Sequence, residues 1–225
     1  MKNGCLWAIG VFILLAIIGK CAGSCNNDVT NSSETSVPTQ QNEISAEEEA
    51  RLTEEKAKQD SLNAVKIKEL KRYFDENEDE FSDHKWIKPK NRPKYTNQNG
   101  YFMYFSVKNG VASNPRFRIQ YVADNWLFIQ HMIFNIDGEN ITFTPQEMET
   151  DCGYGGIIWE WCDEYAINLE PLIQKIAYAK SVKIKMVGRQ YHAIKTMSSK
   201  QIQYFKYSYE YYKAMGGTFT DNYIY

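Results

Sequence analysis

Histidine and cysteine are scarce and scattered in this chain. The three histidines, His84, His131 and His192, stand far apart, and none of the five cysteines belongs to a CxxC pair. Zinc-site and thioredoxin-type chemistry therefore have no ligand or thiol cluster to build on, and five cysteines in 225 residues make no disulfide scaffold. There is no GxSxG, P-loop or GxGxxG motif; Gly153, Gly155 and Gly156 lie in a strand connection with no lysine or helix start after them. Neither sign of charge is in excess: 26 Lys and Arg face 28 Asp and Glu, a net charge of -2, which excludes a strongly basic nucleic-acid binder. No cofactor, metal or nucleic-acid partner is expected.

Long apolar runs are also lacking, with one exception. Gly4 to Gly19 carries no charge and lies between Lys2 and Lys20. As a helix it spans about 24 Å, short of the ~30 Å hydrocarbon core. Lys20 can snorkel and residues 21–25 are uncharged, so a tilted helix reaching Cys25 suffices. The competing reading is a lipoprotein-type signal, because Ala22-Gly23-Ser24-Cys25 resembles a lipobox with Cys25 as the lipidation candidate. Ala22 stands where that motif usually has Leu, and Lys20 interrupts the apolar run, so the retained anchor is favoured. Either reading makes residues 1–25 a membrane tether, and Lys2 with the terminal amine places the remainder on the extracytoplasmic side.

What is present elsewhere is polar, then charged, then apolar and alternating. Residues 26–44 hold only Val29, Val37 and Ile44 as aliphatics and read as a disordered linker. Residues 45–83 read as a charged helical stalk, opened by a Ser45/Glu48 capping box, with an apolar stripe at Leu62, Ile67, Leu70, Phe74 and Phe81. An acidic run (Asp75, Glu76, Glu78, Asp79, Glu80, Asp83) adjoins a basic one (Lys85, Lys88, Lys90, Arg92, Lys94), and the two are expected to screen one another. The acidic run imitates a calcium loop, but Glu80 stands at its glycine position and Trp86 at its bidentate position.

Residues 84–217 read as an α+β domain, with 218–225 as a tail. Asn109-Gly110 and Asp137-Gly138 are hairpin turns. Strands are expected at 101–108, from 111, at 116–122, 126–136, 140–144, 157–162, 182–187 and 191–197. Along 116–122, Phe117, Ile119 and Tyr121 take one face and Arg116, Arg118 and Gln120 the other. Asn168 is expected to cap one helix with Pro171 in its first turn, and Ser198 with Gln201 to box another that stops at Gly216-Gly217. Tight turns between successive strands imply an antiparallel sheet or sandwich-like arrangement with two helices packed on it. Cys152 and Cys162 are expected not to bond, since a hairpin tip at 153–156 separates them by roughly 17 Å along the strand.

The segments YVADNWLFIQ from Tyr121, IDGEN from Ile136 and AKSVKIKMVGR from Ala179 resemble a pattern found in uncharacterised, membrane-anchored bacterial proteins. The resemblance covers about half of the domain and rests on packing and turn residues. It implies a bacterial source and carries no activity.

Candidate site residues are aromatic. Trp159 and Trp161 share a strand face with Ile157; exposed they form a sugar-stacking platform, buried they are core, and burial is favoured. Tyr204, Tyr207 and Tyr211 fall at helical spacing on a face other than the stripe Ile202, Phe205, Tyr209, Tyr212, and exposed tyrosines adhere to partners. Glu160 lies between the two tryptophans in sequence, but strand alternation points it away from both, and no second carboxylate pairs with it. The histidines in strands are read as structural. The expectation is a membrane-tethered, non-enzymatic binding or interaction domain of unknown ligand, with a protein or an envelope glycan as its partner. The alternatives are an envelope glycan-binding domain using Trp159 and Trp161, or an enzyme of unrecognised type. Full-length protein is expected in the membrane fraction; its recovery in the soluble fraction without processing would overturn this, and intact mass separates a retained Met1 from a diacylated Cys25.

Overall fold

The computed structural model describes residues 46–78 and 81–220. The expected anchor, Cys25 and the polar linker lie outside the described residues, and no described helix is long and apolar enough to cross a membrane. Helix α1 runs Ala46–Leu70, with Glu47, Glu48 and Glu49 in its first turn and Lys68 in its last, the signs its dipole favours. Most of it is exposed: Leu62 keeps 56% of its surface, and burial begins only at Ile67 and Leu70.

The stalk does not continue as helix to residue 83. A 3-10 turn, Lys71–Tyr73, leads into strand β1, Phe74–Glu78, which pairs antiparallel with β2, Lys85–Pro89. Asp75, Glu76 and Glu78 of the acidic run and Lys85 and Lys88 of the basic run thus lie on two paired strands. Charges of the two runs meet as Glu76–Lys85 (3.0 Å), Glu78–Lys85 (2.9 Å) and Asp75–Arg92 (2.7 Å). Opposite charges placed face to face stabilise a strand pair that has few apolar side chains of its own.

The remaining strands are β3 (Gly100–Lys108), β4 (Val111–Ala123), β5 (His131–Ile136), β6 (Glu139–Phe143), β7 (Glu149–Cys152), β8 (Ile158–Tyr165), β9 (Val182–Val187) and β10 (His192–Thr196). They form two antiparallel sheets, ordered β1-β2-β3-β4-β8-β7 and β10-β9-β5-β6. With α2 (Glu170–Ala177) and α3 (Ser199–Ala214), three helices complete an α+β fold. Both expected hairpin turns form, with Asn109, Gly110, Asp137 and Gly138 all at positive φ as such turns demand. Ser198 and Gln201 make the reciprocal capping box of α3.

Two local expectations are corrected. The segment 126–136 is not one strand: β5 starts at His131, and residues before it form a loop in which Phe128 sits at φ 53. Asn168 does not cap α2; it is itself at φ 65, and Leu169 occupies the cap position without a side-chain bond. The 152–162 region does turn back, with Cys152 opposite Ile158. Cys162, four residues farther and about 13 Å along the strand, is buried, and both thiols are free.

The inner face of the larger sheet carries Met103, Phe105, Phe117, Ile119 and Ile158, and both α3 and the smaller sheet pack against it. Phe117 is the junction. Fully buried on β4, its ring meets Phe134 of β5 (6.1 Å), Phe143 of β6 (5.6 Å) and Phe205 of α3 (5.7 Å). Phe117→Ala is expected to cost about 3–5 kcal/mol in urea denaturation, since the cavity opens where three elements meet.

Candidate functional site

Strand β8 directs acidic side chains to both faces of the larger sheet. Glu160, with no exposed surface, points inward beside Ile158 and Cys162. Its carboxylate accepts backbone N–H bonds from Leu127 (2.7 Å), Phe128 (3.0 Å) and Ile129 (2.8 Å). Glu164 does the same two turns of the pleat later, accepting from Gln146 (2.8 Å) and Glu147 (3.5 Å). These carboxylates are engaged by backbone N–H groups and hold connections in place.

The opposite, outer face is polar and aromatic. Strand alternation and register bring together Trp86 and Lys88 of β2, Phe102 and Tyr104 of β3, Arg116, Arg118 and Gln120 of β4, and Trp159, Trp161 and Asp163 of β8. Asp163 is the hub: it accepts from Tyr104 Oη (2.7 Å), Arg116 Nε (2.9 Å) and an Arg118 guanidinium N–H (2.8 Å), while Arg116 also donates to its backbone carbonyl. Burial first, then the Asp163 charge, pushes the Tyr104 hydroxyl up, so it remains a donor.

At one end the connection from Lys90 to Asn99 folds back over this face. Gln120, itself buried, fastens it by donating to the carbonyls of Tyr95 (2.9 Å) and Gln98 (3.4 Å). The resulting cleft, about 170 Å³, is lined by Lys88, Arg92, Lys94 and Arg118 with Tyr95 and Tyr104 among its walls. Lys88 lies 5.4 Å above the Tyr104 ring, and its ammonium is held below the usual lysine range by burial and then by the neighbouring Arg92 charge. A second cleft of about 540 Å³ is lined by Arg116, Glu147, Glu149, Asp163, Glu164 and others. It contains no His, Cys or Ser, and two of its carboxylates are the ones already engaged.

The sequence-derived candidates fall differently from expectation. Trp159 and Trp161 are half-buried on the outer face, not core; the register with β4 sends Ile158, Glu160 and Cys162 inward instead. Trp159 is packed under the β7–β8 turn, where a Cβ on Gly153 would come 3.1 Å from its ring. Tyr211 is buried between Phe74 (5.0 Å) and Phe105 (5.7 Å). Tyr207 stacks on Tyr73 at 4.5 Å, and Tyr204 meets the same ring edge-on at 5.8 Å. Of the three tyrosines expected on an adhesive face, Tyr211 is core, while Tyr204 and Tyr207 stay half-buried against Tyr73, where the chain leaving α1 lies along them.

Lys88, Arg92, Arg116, Arg118 and Tyr104 were not singled out as a site by sequence reading. Their signals were the alternation at 116–120 and the basic run 85–94; only the β2-β3-β4 order unites them. Among the described residues, no three His, Cys, Asp or Glu side chains form a metal-holding group. No protein-family model, curated protein or solved structure matches the chain.

Glu160→Gln replaces one acceptor oxygen by an amide that faces N–H donors. A loss of about 2–4 kcal/mol is expected in chemical denaturation. Stability equal to wild type would show that the 127–129 loop is held by its apolar side chains instead.

Proposed function

We propose that the chain is a membrane-tethered, non-enzymatic binding protein whose recognition surface is the outer face of the larger sheet, on the extracytoplasmic side. The observation that carries this reading is the placement of guanidinium, ammonium and aromatic groups on the sheet face opposite the packed core. Among the described residues the elements that pack on this sheet lie against the other face, and the outer groups are only partly covered. Arg116, Arg118 and Tyr104 are locked by Asp163, so the surface is organised before any ligand arrives, and little side-chain freedom is lost on binding. The tether rests on the Gly4 to Gly19 run.

A protein partner on the tyrosines of α3 draws no support from the packing of Tyr211 and Tyr207. An envelope glycan is the better-supported ligand, because Trp161 is half-buried on the same sheet face as the arginines, opposite Gln120 of β4. Against catalysis stand the occupied carboxylates of β8.

The test is retention of full-length protein, in detergent, on an immobilised panel of bacterial envelope glycans, compared with Trp161→Ala. Truncating a central aromatic anchor is expected to weaken retention by about 30-fold. Equal retention by the variant, or no retention of either protein, would overturn the outer-face reading.

A further inference from the structure

We infer that the cleft beneath the Lys90–Asn99 connection takes a single acidic sugar residue, its carboxylate set against Lys88 and Arg118. This rests on the outer-face reading and narrows it to one subsite and one ligand chemistry.

The first ground is charge. Four cations line the cleft and no carboxylate does. Behind them stand Asp75, bound to Arg92, and Asp163, shared by Arg116 and Arg118. Two carboxylates therefore answer five cations, and Lys88 and Lys94 make no ion pair among the described residues. Lys88 is the telling one. Its ammonium is partly desolvated and feels the Arg92 and Arg118 charges; the one carboxylate that acts on it, Asp163, is already bonded by Arg116 and Arg118, and its direct neighbour is the Tyr104 ring. A half-buried cation with no ion pair of its own is unfavourable, and an incoming oxyanion offsets that cost.

The second ground is size and wall chemistry. At about 170 Å³ the cleft lies below the ~300 Å³ at which drug-sized ligand pockets begin, so it takes a fragment such as one ring, not a nucleotide or cofactor. Its walls include Tyr95, Phe102 and Tyr104. A bare phosphate gains nothing from aromatic walls, whereas the C–H faces of a pyranose pack on them while its charged group reaches the cations.

The third ground is rigidity. Gln120 pins the overlying connection at two carbonyls, and Pro93 packs so closely on Gly100 that a Cβ there would lie 2.3 Å from the proline ring. The cleft is a built feature of the fold, since the glycine is what admits the proline.

Saturation-transfer NMR and calorimetry on the full chain in detergent test this with glucuronate, glucose and inorganic phosphate. Saturable glucuronate binding, with glucose and phosphate weaker by about tenfold or more, supports the inference. Lys88→Gln should weaken glucuronate by a similar factor without lowering the thermal midpoint, because Lys88 makes no ion pair among the described residues and its own charge is unfavourably placed. Phosphate bound as tightly as glucuronate, glucose bound as tightly, no binding of glucuronate, or a variant that binds like wild type would each overturn it. If glucuronate fails while the glycan panel still retains the protein through Trp161, only this inference falls; failure of both removes the outer-face reading as well.

Discussion

The crossing between the two sheets depends on one buried carboxylate. Between the end of β4 at Ala123 and the start of β5 at His131 the chain leaves one sheet and enters the other. The N–H groups of residues 127–129 belong to no strand ladder there. Glu160 collects all three, and the concave arrangement they need is reached only with Phe128 in the left-handed region. Burying a carboxylate is costly, and three charge-assisted bonds offset that cost. Leu127 and Ile129 can then enter the core on either side of an exposed Phe128. The smaller sheet is attached to the same point: Arg189 donates to the Leu127 carbonyl, Gln130 donates to Val187, and Gly188 sits so close to Leu127 that a Cβ would be 2.0 Å from its carbonyl oxygen.

The same strand organises the other side. Asp163 follows Glu160 by three residues and so faces outward, where it gathers Tyr104, Arg116 and Arg118 from two neighbouring strands. One carboxylate cannot neutralise two guanidinium groups, and the surplus of positive charge left on that face is a direct outcome of strand order. The proposed binding surface and the inner clamp are therefore two products of one sequence, Glu160 to Glu164, read alternately.

Much of this was legible in the residues. Asn109-Gly110, the Ser198/Gln201 box and the strand at 182–187 are local signals, and each forms as expected. The 126–136 segment was not legible. Its apolar run reads as a strand, and what breaks it is a carboxylate some thirty positions away. The acidic run after Tyr73 reads as stalk because its partner strand stabilises it by charge, not by a hydrophobic pattern. For the site, Arg116 and Arg118 were placed on the correct strand face, but nothing local reveals that β2 lies next to β3 and brings Lys88 and Arg92 beside them. Tyr211 failed for a similar reason: helical spacing separates faces, and it does not say which face another segment will cover.

The two free margins of the six-stranded sheet are β1 and β7, and both are strewn with ionised groups: Asp75, Glu76 and Glu78 on one, Glu149 and Asp151 on the other. An open margin is a template for pairing with a second chain, and charged side chains along it oppose such pairing. Copies crowded side by side on a surface would meet carboxylate against carboxylate at β7. Charge along both margins thus opposes extension of the sheet beyond its six strands.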